Sequence, residues 1–296
     1  MGTTALDVPV AAAAAPRRPL LRRLAGLPTS ALVGGGIVAL ILLAAILAPV
    51  LAPASPTEGS ISARLFDVGT AGHPLGTDGQ GRDVLSRLMW GARRTLVAGV
   101  TPVLIAGVLG TLLGLVAALS GRWVRGAIMR TLDVFYAFPA ILLAIAIGAA
   151  LGPGVTNAVV SLSIVLVAPI ARVAEGEVLR IRSADFLESA RVSGARWSTI
   201  SVRHVLPNIA PALLVYCTSM VGLSIVYAAG LSFLGLGVAP PDPDWGQMLN
   251  DLRQSIYDRP VLSLVPAIAI FLASVGFNLL GDGLRQALDV REEVAA

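Results

Sequence analysis

Six stretches of this chain contain no Asp, Glu, Arg or His: Ala31–Leu51, Leu96–Leu119, Val134–Leu151, Val155–Ala171, Ile209–Leu231 and Val261–Leu280. About 20 apolar residues in a helix cross the hydrocarbon core of a bilayer. Lipid offers no partner to a free N–H or C=O, so a spanning segment must satisfy its own backbone. The expected fold class is therefore an all-α polytopic membrane protein with six transmembrane helices. Only 14% of the chain is charged, against about a quarter in soluble domains. The first stretch, preceded by Arg17, Arg18, Arg22 and Arg23, could be read as a secretory signal. Its apolar core is longer than the usual ~7–15 residues and more spans follow, so we read it as an uncleaved first helix. Residues 1–30, with their alanine run and prolines, are expected to form a disordered tail.

Arginine placement gives the orientation. With the N-terminus inside, the inner segments hold fifteen of the 22 arginines, among them Arg122, Arg125, Arg130, Arg172, Arg180, Arg182, Arg191, Arg196, Arg203, Arg285 and Arg291. This is the asymmetry of the positive-inside rule. An even number of spans then places both termini in the cytoplasm. The net charge of +4 is accounted for by these flanking arginines, and no nucleic-acid partner is implied.

Several activities are excluded by what the spans and loops lack. The chain has no lysine, so it can form neither a P-loop nor a Schiff base. Ion-driven carriers place ionisable groups within their spans, and these six have no Asp, Glu, Arg or His. One cysteine, Cys217, can make neither an internal disulfide nor a metal cluster. His73 and His204 fall on opposite sides of the expected topology, so no metal site is expected. Tyr257-Asp258 and Gly281-Asp282 are incomplete echoes of an intramembrane aspartyl-protease pair; Asp282 is read as ending the sixth helix. No catalytic residue is assigned, and the chain is not read as an enzyme. With no internal motor, it is either passive or driven by partners.

Between the first two spans, the segment from Ala52 to about Thr95 is too long for a turn. It closes with GRDVLSRLMWGARR, in which Val84, Leu85, Leu88 and Met89 share a helical face and Asp83 and Arg87 stand at i,i+4. We expect an interfacial helix lying on the outer surface. Gly110 and Gly114 make a small-xxx-small pair suited to close helix packing. The fifth apolar region, uncharged from Val205 to Pro241, should be a helix ending near Gly230–Gly237, followed by a Pro-broken loop.

The stretch Asp185–Pro211 is a polar island between the fourth and fifth spans. Asp185 followed by Glu188 forms a capping-box pattern, predicting a helix over Phe186–Ser193. Gly194 can take the left-handed conformation that ends it. Ser198 is expected to cap a second helix reaching about Leu206, with Pro207 at the turn into the membrane. The island is then helix–Gly–helix, parallel to the membrane, with the small residues Ser189, Ala190 and Ala195 leaving room for a docking partner.

ESARVSGARWSTISVRHVLPN resembles the EAA loop of binding-protein-dependent ABC importer permeases, with Glu188, Ser189, Ala190, Gly194, Leu206 and Pro207 at the matching positions; Ser189 departs from the more common Ala. HPLGTDGQGRDVLSRLMWGAR, LSFLGLGVAPPDPDWGQML and NLLGDGLRQALDVR resemble the C-type permease of dipeptide, oligopeptide and nickel importers. The resemblance covers nearly everything after residue 30. It implies a type I ABC importer permease fold with a cytoplasmic coupling helix between helices 4 and 5. The implied partners are a second homologous permease, two ATP-binding cassette ATPases, an extracytoplasmic solute-binding protein and the lipid bilayer of a bacterial cytoplasmic membrane. ATP-Mg would be bound by the partners, and no cofactor by this chain. The implied layout is a tail over 1–30, a first span with outer loop over 31–95, a permease core with five spans over 96–283, and a tail over 284–296. Peptide cargo is the favoured expectation, with nickel or another small solute, or a passive channel, as alternatives. Candidate path residues, able to offer adaptable hydrogen bonds, are Asn157, Ser161, Tyr216, Ser219, Ser224 and Tyr227, with Ser163 beside them.

Overall fold

We analysed a computed structural model, which describes residues 28–183, 193, 194 and 196–295, with side chains up to residue 288. The described residues form helices and loops, and their only β-type pairings are the isolated bridges Thr70–His73 and Thr77–Asp83. In chain order the helices are α1 (Thr29–Leu51), α2 (Val84–Leu119), α3 (Arg122–Tyr136), α4 (Ala140–Leu151), α5 (Val155–Ile181), α6 (Trp197–Ile200), α7 (Leu206–Phe233), α8 (Trp245–Leu252) and α9 (Pro260–Ala295). A π-helical turn, Ser201–Val205, joins α6 to α7 without a break, giving one rod from Trp197 to Phe233. Among the described residues, five helices are individually long and apolar enough to cross a membrane: α1, α2, α5, this rod and α9. α3 and α4 pass the same test only as a pair, bent by 88°, which makes them a broken span or a re-entrant loop.

The bundle is seamed by small residues. α2 and α5 run in the same direction, and Gly110 and Gly114 lie directly on the α5 backbone. A Cβ at Gly114 would sit 2.5 Å from the Ala171 carbonyl oxygen and 2.9 Å from the Glu175 nitrogen. The close approach expected of this pair is thus realised. α1 crosses α9 through Gly34, where an added Cβ would meet the backbone of Gly276 and Leu280. Around these seams Val103 and Ala106 of α2, Leu166 and Ile170 of α5, Val221 and Ile225 of α7, and Ala273 of α9 form the core. Burial here does not distinguish water from lipid: exposed Leu40, Leu104, Val108, Leu142 and Phe271 form the surface that a bilayer would cover.

One end of the bundle, the loop end, carries residues 52–83 and α8. The other, the arginine end, carries the α2–α3 connection, the α5 C-terminus and α6. At the loop end, two arginines of the 78–87 segment reach the distant α8. Arg82 pairs with Asp78 at 2.7 Å and with Asp251 at 2.8 Å; Arg87 reaches the same two carboxylates at 3.4 and 3.0 Å. Asp83 caps α2 through the Ser86 N–H at 2.7 Å and pairs with His73 at 2.9 Å. Asp244 caps α8, accepting from the Gly246 and Gln247 N–H groups at 2.8 and 3.1 Å. Burial pushes its carboxyl above the usual range, against the opposing hydrogen bonds of Gln247, Ser232, Gly246 and Thr95.

Four sequence expectations change here. The amphipathic GRDVLSRLMWGARR is not a helix lying on the membrane surface. It forms the first turns of α2, whose 36 residues span about 54 Å against a hydrocarbon core of about 30 Å. Its apolar face is covered by the protein itself: Val84 and Leu88 pack in one cluster with Trp245, Met248 and Leu252, and the Trp245 indole N–H donates to the Leu88 carbonyl at 2.8 Å. The expected Asp83–Arg87 pair is not made, because each side chain has a better-placed partner outside the helix. The third span does not run straight from Val134. The chain bends between Tyr136 and Ala140, where Pro139, lacking an N–H, precedes the first residue of α4. Nor does Asp282 end the last helix. α9 continues to Ala295, its charged final turns extending past the uncharged stretch, where Asp282 is exposed.

Candidate functional site

The polar island meets the bundle at the arginine end. Glu188, Ser189 and Ala190 lie outside the described residues, as do Asp185 and the expected helix from Phe186. Gly194 is described and takes φ +75°, the left-handed conformation expected of it, with open space around the position of a Cβ. Beyond it the structure departs from the expected second helix. The N-cap is Arg196 rather than Ser198, and no side chain caps the helix. The chain does not leave the helix at Leu206-Pro207 but continues into α7 as one helix.

The π turn explains why. In an α-helix, residues five apart point about 140° away from each other, whereas a π turn closes i→i+5. The Leu206 N–H donates to the Ser201 carbonyl in this pattern. Ile200 and Val205 are thereby brought to one side. From Val205 the normal spacing of four resumes with Ile209 and Leu213. All four are buried in one cluster with Leu115 and Ala118 of α2 and with Ala174 and Val178 of α5. Pro207 follows the π turn, and the Asn208 amide donates to the His204 carbonyl at 2.6 Å. Away from the buried stripe, Trp197, Val202 and Leu206 are exposed. The foot of the rod is thus apolar on two sides, one locked into the bundle and one open.

Two cavities lie at this end of the bundle. One, about 510 Å³, is lined by Arg122, Arg125, Arg130, Arg172, Arg182 and Glu175. The other, about 460 Å³, lies between α5, α7 and α9, with Glu177, Arg180, Asp282, Arg285, Tyr216 and Ser219 at its walls. Its Arg180 and Glu177 form an ion pair at 2.9 Å. Of the six candidate path residues, Tyr216 and Ser219 share this second cavity; the others stand elsewhere. Asn157 donates from Nδ2 to the Leu151 and Gly152 carbonyls at 2.9 and 3.1 Å, closing the end of α4. Ser161 is fully buried and donates to the Asn157 carbonyl at 2.7 Å. Ser224 is fully buried, its hydroxyl without a partner among the described residues. Tyr227 packs beside Ala228 and Leu231. Sequence reasoning missed Glu177, Arg180, Asp282 and Arg285 as a group. Their charges were visible, but only the antiparallel packing of α7 on α9 and the fall of α5 beside them bring the four together.

Residues 110–294 match the family of binding-protein-dependent transport system inner membrane components, and residues 29–66 match the N-terminal TM domain of oligopeptide transport permease C. The chain belongs to the binding-protein-dependent inner membrane permeases. Among its relatives, the glutathione transport system permease protein GsiD of Pectobacterium atrosepticum is 45% identical over 226 residues, which cover 76% of this chain and 75% of that protein. The dipeptide transport system permease protein DppC of Alkalihalophilus pseudofirmus is 43% identical over 259 residues, 88% of this chain and 85% of that one. In fold, the permease resembles a chain of the inward-facing MetNI methionine ABC transporter, with a TM-score of 0.54 at 19% identity, covering 67% of this chain and 96% of that one. The permease is therefore a multi-pass inner membrane component of the ABC importer class, which works with ATPases and a solute-binding protein.

Proposed function

We propose that this permease carries small peptides across the cytoplasmic membrane, driven by ATP hydrolysed on other chains. Dipeptide and glutathione, the cargoes in its relatives' names, are both short peptides. In this reading the complex comprises this chain, a second homologous permease, two ATPases and an extracytoplasmic binding protein. The loop end faces outward and the arginine end inward, so both termini are cytoplasmic. The chain holds no ATPase site, having no lysine for a P-loop, and ATP-Mg binds to the partners. The path runs between the two permeases, and Asn157, Ser161, Tyr216, Ser219, Ser224 and Tyr227 are its candidate contributors.

One observation supports the coupling role most directly. The island ends in a rod that runs unbroken from Trp197 to Phe233, with its foot seated between α2 and α5. A force that reaches Trp197 is carried along one continuous helix to Phe233. Glu188, Ser189, Ala190 and Gly194 form the contact with the ATPase, and Leu206 and Pro207 sit where the foot enters the membrane. The test is uptake of labelled dipeptides and oligopeptides by cells carrying Gly194→Pro or Glu188→Lys, with nickel as competitor. Uptake is expected to be abolished in both variants while membrane insertion and complex assembly persist. Normal uptake would overturn the coupling role, and suppression by nickel would overturn the cargo.

A further inference from the structure

Five arginines surround the 510 Å³ cavity at the arginine end, against one lining carboxylate. Glu175 accepts from Arg125 at 2.6 Å. Asp133 pairs with Arg172, whose guanidinium also lies 5.7 Å from the centre of the Tyr136 ring. Among the described residues Arg182 donates to the Ala118 carbonyl at 3.4 Å and forms no ion pair. Arg122 and Arg130 form no ion pair among the described residues. Three guanidinium groups therefore face one concavity without a counter-charge among the described residues. A site of this composition selects a multivalent oxyanion, because planar guanidinium forks match phosphate oxygens.

The depth of the cavity identifies which oxyanion. α2 is free of charge from Thr95 to Leu119 and α5 from Val155 to Ala171; the cavity opens at the next residues, Ser120 and Arg172. That is where a bilayer changes from acyl chain to headgroup. Apolar, exposed residues accompany the cavity along the chain: Leu112 and Val116 before it, Trp123 and Val124 between its Arg122 and Arg125, Trp123 at 87%. Tryptophan and tyrosine at this level are marks of the membrane interface. The 88° bend sets α3, with three of the arginines, across the axis of α4. A soluble phosphate has no use for an apolar surround, whereas an anionic phospholipid uses both parts. Basic pockets between transmembrane helices at headgroup level bind such lipids.

We propose that the cavity between α3 and the C-terminal ends of α2 and α5 binds the phosphate headgroup of an anionic phospholipid, with Arg122, Arg130 and Arg182 as its principal contacts. The proposal rests on the membrane spans and is independent of cargo and orientation. The lipid would tie α3 to α5 beside the seat of the foot, at no cost in protein–protein contact.

The test uses the complete complex, purified with its ATPases and partner permease, stripped of lipid and then exposed to phosphatidylglycerol or phosphatidylcholine, with retained lipid counted by native mass spectrometry. Wild type should retain phosphatidylglycerol in preference to phosphatidylcholine. In R122Q/R130Q that retention should fall about tenfold, while R253Q, at the loop end, should match wild type. R122K/R130K, keeping the charge but losing the fork, should fall between the two. All these side chains are exposed, and an unchanged thermal midpoint would confirm that each variant is folded. Equal retention in R122Q/R130Q overturns the proposal. So does displacement of the lipid by inorganic phosphate or ATP, which marks a soluble-anion site. A third overturning result is loss of the ATPases from the variant with lipid retention unchanged, which marks a protein dock. The measurement needs neither cargo nor ATP, so its failure is separate from failure of the transport reading.

Discussion

At the loop end, Asp78, Arg82, Asp83 and Arg87 are each no more than 4% exposed. At the arginine end, Arg125, Arg172 and Arg180 keep 45%, 43% and 64% of their side chains exposed, although each has an acidic partner. The same residue types thus serve opposite ends. Buried pairs are costly to desolvate and costlier still to break, so they hold one arrangement. Exposed pairs add little stability and exchange partners readily. The loop end is a fixed brace: it clamps the start of α2 to α8 across 164 residues of chain, from Arg87 to Asp251. The arginine end is left adjustable, as befits the end where the island, and in our reading the ATPase, must act.

Breaking the brace should have the largest effect on stability. Asp78→Ala removes the carboxylate shared by Arg82 and Arg87 and the acceptor for the Gln80 and Arg82 N–H groups. Orphaning a buried ion-pair partner costs about 3–5 kcal/mol, so we expect a steep fall in the thermal midpoint and in folded yield. A smaller effect should follow at Asp244, which caps α8 within the same brace. Asp244→Ala should cost about 1 kcal/mol through the lost cap. Asp244→Asn keeps a capping oxygen and also tests the sign of the burial effect. A carboxyl whose folded pKa is raised contributes most below its unfolded pKa and loses that contribution as pH rises through the folded value. Thermal midpoints recorded from acid to neutral pH should therefore show a term in wild type that Asp244→Asn lacks. The smallest effect belongs to the other end. Arg180→Gln removes an exposed pair with Glu177 and should shift stability by less than about 1 kcal/mol, less still at high salt. A large shift there would end the contrast between brace and adjustable end.

Most of the bundle was legible because hydropathy reports lipid contact directly. Uncharged runs located the five helices long and apolar enough to cross a membrane, and arginine bias alone separated the two ends. The errors fall where hydropathy changes inside one helix. Leu206-Pro207 looked like a boundary because charge stops there, yet the backbone runs through it; so too at Asp282, and at Thr95 in the middle of α2. At Val134 the opposite happened: an apolar run hid a bend that only Pro139 signalled. Of the candidate coupling residues, Gly194 was readable from glycine chemistry alone. The brace was beyond reach, since nothing local in Arg82 or Arg87 points to Asp251. The arginine cavity was equally hidden, because its members come from two segments that only the α2–α5 seam brings together.

The π turn at Ser201–Val205 has a consequence for how this chain tolerates change. It is equivalent to one residue inserted into an otherwise regular helix, and a helix advances about 100° for each residue. Everything before it is therefore out of phase with everything after it, by the amount needed to turn Ile200 onto the stripe of Val205 and Ile209. Deleting any one residue of the turn would restore an ordinary α-helix while swinging Ile200 out of its groove and pointing the island's final residues in a new direction. The span itself would be untouched. The membrane-crossing part and the polar foot thus share a backbone but keep separate angular settings, and the length of this one turn is what sets the angle between them.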